Sequence, residues 1–229
     1  MKDINNRFRE ILTVIVFVIL ATGCDLTLQE EWEYVREPFG NRPTGMTAYD
    51  WMVMINQDTT YNDDDGVPQF QYLLDAIEQT DLIDLYNDPN ASQTYFLLRN
   101  SAFNASGQLL AHTTGSADNP LDSLSNDRLE HVLRYHILEE ALSQETIPKN
   151  DFHLYYQTLV PGDSGVMEIN KRLFNQQIRI NTSVARVGGS NIPTTMPDGS
   201  RGRGVDLHNF IFTNGIGHQI NGYVRYQPF

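Results

Sequence analysis

Apolar residues recur with a helical period in the first half of the chain and with a period of two in the second. Ala48, Trp51, Met52 and Ile55 fall at i, i+3, i+4 and i+7, with Thr47 placed to cap the helix they predict. Phe70, Leu73, Leu74 and Ile77 form a second stripe, with Asp65 and Pro68 near its amino end, and Leu82 to Tyr86 continues it after a break near Thr80-Asp81. The strongest stripe is Leu129, Val132, Leu133, His136 and Ile137, capped by Asn126 or Asp127. It puts His136 on the buried face, in a hydrogen-bonded interior role. Tyr95 to Leu98 reads as a buried strand before a turn that seats Phe103 in the core. From His153 onward the pattern alternates. Phe152–Tyr156, Val166–Ile169 and Gln177–Asn181 predict strands, with Pro161-Gly162 and Asn170-Lys171 near turns. Two further β-rich runs flank Asn214-Gly215, a dipeptide suited to a tight hairpin. After it Ile216, His218 and Ile220 alternate with Gly217, Gln219 and Asn221, which predicts one apolar face carrying His218. Residues 104–126 and 188–206 read as long irregular loops.

Helices followed by strands predict the α+β class. Ahead of them lie two zones of different composition. In residues 1–23, Lys2, Arg7 and Arg9 precede the apolar run Ile11 to Ala21, which is too short to anchor in a bilayer and fits a signal-peptide core. The run ends in Leu20-Ala21-Thr22-Gly23-Cys24, which resembles a bacterial lipobox with Ala21 in place of a larger aliphatic residue. Cys24 is the only cysteine, and acylation gives a use to a thiol that would otherwise stand unpaired in an oxidising compartment. We therefore expect lipidation at Cys24, against the simpler reading of a secretory signal with an incidental cysteine. Residues 24–45 read as an acidic tether, broken by Pro38, Gly40, Pro43 and Gly45. Its aromatic residues Trp32, Tyr34 and Phe39 are expected to make contacts, either with a partner or with the domain itself. Residues 46–229 then form a single domain with an additional amino-terminal helix.

Three motifs carry a family resemblance. Thr94-Tyr95-Phe96-Leu97-Leu98-Arg99-Asn100-Ser101-Ala102-Phe103 comes first, then Tyr135-His136, then Asn214-Gly215-Ile216-Gly217-His218-Gln219-Ile220-Asn221. In that order they resemble the first, central and closing boxes of the fasciclin (FAS1) domain family, over roughly residues 68–226. Leu98 and Arg99 stand where the first box usually has proline and threonine, which implies a different turn after the strand. The resemblance implies an α+β fold, a twisted β-sandwich or wedge with packed α-helices. It makes Phe96, Phe103, Tyr135, His136, Asn214, Gly215 and His218 structural core residues. It implies surface adhesion and binding, with no reaction attached. In bacteria that import glycans through lipoprotein-capped outer-membrane transporters, small FAS1 lipoproteins look like accessory subunits of such machines. Joined to the lipobox, the resemblance implies a lipid-anchored, surface-facing protein of the outer membrane. Its partner is then a transporter, another envelope protein or an extracellular glycan. The alternatives are a stand-alone adhesion protein and an envelope hydrolase.

Charge and side-chain chemistry narrow this further. The chain has 16 basic and 29 acidic residues, a net charge of −13. Removal of residues 1–23 takes away three bases and two acids and leaves −14. Such a chain has no general attraction for nucleic acid or an anionic membrane surface. One cysteine excludes a zinc or iron–sulfur centre, and six histidines show neither H-x-x-x-H nor H-E-x-x-H spacing, so no metal or cofactor is expected. Asn62 to Gly66 invites a calcium loop, but the EF-hand register would need ligands at Tyr61 and Tyr72. Asp163-Ser164-Gly165 lacks the nucleophile-elbow pattern, and no catalytic set emerges. The one locally basic stretch is the 188–206 loop with Arg201 and Arg203, beside Arg186. These are either solvated cations or donors for a partner's carboxylate, and we take Arg201 and Arg203 as binding candidates.

Overall fold

The computed structural model describes residues 40–62, 66–148, 153–172, 175–182 and 201–225, all within the compact unit Pro38–Phe229. Cys24, Trp32, Tyr34, Phe39, Arg186 and the aspartates of the Asn62–Gly66 stretch lie outside the described residues.

Among the described residues nine strands form two sheets. The first has the order β1-β8-β9-β2-β3, from Arg42–Pro43 (β1), Gln93–Leu98 (β2), Ile137–Leu138 (β3), Leu207–Phe212 (β8) and Gly215–Ile220 (β9). The second is antiparallel throughout, in the order Leu154–Gln157 (β4), Val166–Lys171 (β5), Ile178–Ile180 (β6) and Arg203–Gly204 (β7). The hairpin β8–β9 runs down the middle of the first sheet, antiparallel within itself and parallel to β1 on one side and β2 on the other. The two sheets meet at β3, where Leu138 bridges Thr158 and Leu159 N–H donates to Ile137 O at 3.0 Å. The fold is α+β.

Among the described residues six α-helices surround this frame: Ala48–Gln57 (α1), Gln71–Gln79 (α2), Ile83–Asn87 (α3), Asn100–Asn104 (α4), Leu109–Thr114 (α5) and Asn126–Tyr135 (α6). Thr47 Oγ1 accepts from Asp50 N–H and starts α1, whose Ala48, Trp51, Met52 and Ile55 are buried. Trp51 sits among Phe70, Phe210 and Phe212 with ring centroids 4.6–5.6 Å away, so the helix outside the family resemblance belongs to the same core. Asp81, with φ of 57°, makes the break between α2 and α3.

Several expectations are corrected. α6 starts after Ser125, because the Asn126 side chain donates to Gln79 O instead of capping. It also stops at Tyr135: His136 closes the helix and Ile137 already belongs to β3, where pairing with Tyr95 replaces another helical turn. Residues 104–126 are not one loop, since α5 and a 3₁₀ turn at Leu121–Ser123 lie within them and bury Leu109, Leu110 and Leu121. Strand β5 runs on through Asn170 and Lys171, two residues past the expected end, before the turn that starts at Arg172. Arg42–Pro43, read from the sequence as tether, is an edge strand, a position that tolerates proline's missing N–H. Gln219, assigned to a polar face, is 3% exposed, because a central strand is covered on both sides.

Candidate binding site

The boxes of the family resemblance hold the two sheets and the helices together. Asn214 Oδ1 accepts from Ala48 N–H at 3.0 Å, and its Nδ2 donates to Tyr86 O at 2.9 Å and to Tyr95 Oη at 3.0 Å. One amide thus ties the hairpin turn to α1, α3 and β2. Gly215 follows with φ of +147°, and a Cβ there would collide with the Gln93 carbonyl. His218 Nε2 donates to Leu142 O at 2.9 Å, while Nδ1 accepts from Asn209 N–H at 3.2 Å. His136 Nδ1 donates to Val132 O at 2.7 Å, and Nε2 accepts from Val224 N–H at 3.0 Å. Each ring makes one donation and one acceptance, which only the neutral imidazole can do. Burial holds His136 down to about 4 and His218 down to about 3. Tyr135 Oη donates to Val166 O and accepts from Asn181 Nδ2, linking α6 to β5 and β6. Phe96 lies on the His218 ring, and Phe103 stacks on Tyr72. Six of these seven residues are buried, and Gly215 is half-buried beside them.

The concave surface lies elsewhere. Arg172 directly after β5, Arg179 on β6 and Arg203 on β7 converge on a pocket of about 510 Å³. Arg179 occupies the strand position between the buried Ile178 and Ile180, so alternation turns it away from the core. Gln177, Gly204, Asp206, Gln108 before α5, and Asn221-Gly222 after β9 complete the lining. Among the described residues no aliphatic or aromatic side chain contributes to it. The Arg203 side chain runs across Gly222, where a Cβ would occupy the position of its Nε. Asp206 Oδ2 accepts from Asn221 N–H at 2.8 Å; burial raises its carboxyl, and that N–H together with Arg99 and Arg203 works the other way.

Arg201 stands beside this pocket and is engaged within the domain. Its guanidinium lies 4.9 Å over the Tyr223 ring and donates to Gln108 Oε1 at 3.0 Å, and its backbone bridges Arg225. Burial and the neighbouring Arg203 and Arg225 lower its pKa. Of the two arginines singled out in the sequence, Arg203 therefore faces the pocket and Arg201 braces its wall. Arg172, Arg179 and Gln108 escaped sequence reading because only the fold, with β5, β6 and β7 paired side by side, brings them beside Arg203. The legible signal was Arg179 itself, an outward strand position carrying a cation in an acidic protein.

A second concavity of about 420 Å³ lies between α1 and the β1–β8 edge, lined by Trp51, Ile55, Phe210 and Leu207, with Arg42 5.1 Å over Phe210 and the buried Gln219 at its base. Catalytic chemistry has little to start from. His153 Nδ1 meets the buried carboxylate of Glu168, but among the described residues no serine, threonine or cysteine side chain hydrogen-bonds to that imidazole. Among the same residues no group of three His, Cys, Asp or Glu is placed to hold a metal ion.

An α+β fold with an open polar pocket does not by itself fix a function. A fasciclin-domain profile matches residues 68–196, more than half of the chain, and the chain belongs to the fasciclin domain family. The matched span contains the first and central boxes and ends before the closing hairpin. Among solved structures the chain is similar to a FAS1 domain pair from the insect cell adhesion molecule fasciclin I. The two are 15% identical with a TM-score of 0.47, over 68% of this chain and 47% of that one, so the match spans less than half of the domain pair. No curated protein matches.

Proposed function

We propose that this protein is a non-enzymatic binding module of the bacterial cell envelope, held to the outer membrane through lipidated Cys24. Its pocket between β5, β6 and β7 receives the partner. Fasciclin domains are typically adhesion and protein-binding domains, which supports this class of activity. The observation that carries the reading is the convergence of Arg172, Arg179 and Arg203 in a chain of net charge −13. Guanidinium groups lining one pocket offer forked donors that an anionic group on a partner can meet. Among the described residues no helix is long and apolar enough to cross a membrane. The setting that suits such a protein is an accessory role beside an outer-membrane transporter for glycans or other nutrients.

Copurification from detergent-solubilised membranes tests this. The wild-type chain should bring down an envelope partner, and the double variant Arg179→Ala/Arg203→Ala should lose it while melting within a few degrees of wild type. Equal recovery of the partner with both chains would remove the pocket from the interaction. Arg201→Ala is the wrong probe, because losing its place over Tyr223 and its bond to Gln108 disturbs the wall itself.

A further inference from the structure

We infer that the pocket between β5, β6 and β7 takes the carboxylate of an acidic sugar residue, such as a uronate within a polysaccharide. This rests on the reading of that pocket as the partner site and names the chemistry of what enters it. Three guanidinium groups from three segments supply planar, forked donors, the geometry that pairs two N–H groups with two carboxylate oxygens. The same wall carries groups that a bare anion would not need. Asp206 is an acceptor in an otherwise cationic pocket, and Gln108, Gln177 and Asn221 bring amides that can both donate and accept. A sugar acid presents a carboxylate and a ring of hydroxyls together, and this mixed lining answers both.

The lining also favours a sugar over an aromatic protein anchor. Protein hot spots are enriched in tryptophan, tyrosine and arginine. Of these only arginine lines the pocket among the described residues, and amides supply most of the other side chains. Its volume of about 510 Å³ lies in the range of small-molecule sites, which suits one or two saccharide units. The backbone is cut to this shape at Gly222: a methyl group there would occupy the path of the Arg203 side chain and push its guanidinium out of place.

The test is calorimetric titration of the detergent-solubilised full-length protein with trigalacturonate, its methyl-esterified neutral form and hexaglutamate. Trigalacturonate should bind, more weakly as salt is raised from 50 to 500 mM (about a threefold shorter screening length), and the methyl ester should not. Arg203→Ala and Arg179→Ala should each weaken binding by about tenfold or more, and Arg203→Lys by less, because the charge stays and the fork is lost. Gly222→Ala keeps every charge and should weaken trigalacturonate as Arg203→Ala does, with the melting temperature reporting that the fold is intact. If hexaglutamate binds with the same arginine dependence and trigalacturonate does not, the sugar assignment falls while the pocket remains the partner site. If neither anion binds and the pocket variants still copurify with the envelope partner, both readings fall.

Discussion

Asn214 does more than its place in a turn requires. Its amide serves the first free N–H of α1, the Tyr86 carbonyl in α3 and the Tyr95 hydroxyl, all in a site with no exposure. Asn214→Ala should cost about 2–4 kcal/mol, because three buried groups lose their partner at once. Chemical denaturation measures it, and a loss below about 1 kcal/mol would show that water replaces the amide. His136 and His218 make a pH prediction. Both are neutral and buried, with pKa values held to about 4 and about 3 against an ordinary 6.5. A depressed histidine means that the unfolded chain binds the proton first. Their contribution is therefore whole above pH 6.5 and is lost as pH falls from there toward the folded values. Each ring can remove up to about 1.4 kcal/mol per pH unit in that window. Urea unfolding at pH 7, 6 and 5 should show a stability that declines with acid; a flat profile between 6.5 and 5 would mean that these rings take up protons in the fold as readily as in the unfolded chain.

Among the elements, α6 is the joint between the sheets. Its last residue, Tyr135, sends a hydroxyl to β5 and receives Asn181 from the end of β6, while the next, His136, gives its carbonyl to Phe96 N–H of β2 at 2.9 Å. Tyr135→Phe keeps the ring and removes only this bridge. It should lower stability by about 1–2 kcal/mol. It should also speed amide exchange in β5 and β6 more than in β8 and β9. Uniform exchange across both sheets would argue that Tyr135 is packing alone. The pocket depends on the same elements, since β6 and β7 hold Arg179 and Arg203 at register positions set by Arg179 against Gly204 and Ile180 against Arg203.

For the molecule as a whole the question is attachment. Cys24→Ala should release the protein from the membrane fraction and abolish incorporation of labelled palmitate. Membrane recovery with undiminished label in that variant would end the lipid-anchor reading. The binding reading then stands or falls separately on the pocket variants, because Cys24 and the arginines act at different points of the chain.

Much of the framework was written in local pattern. Thr47 with Trp51 and Ile55, the stripe from Phe70 to Ile77, and the alternation through Ile178 and Ile180 are properties of neighbours along the chain, and the 3.6 and 2.0 periods expose them directly. The α+β class follows from the order of those periods. What local pattern could not contain was pairing between distant segments. Nothing near Gln219 says that α1 and β1 cover its face, and nothing near His136 says that β2 takes over from the helix. Arg172, Arg179 and Arg203 become one site only because β5, β6 and β7 lie side by side and Gly222 leaves room between them. Chain periodicity decides which face of each element is buried. Sheet order decides which of the remaining side chains meet, and the arginine-lined pocket follows from that second decision.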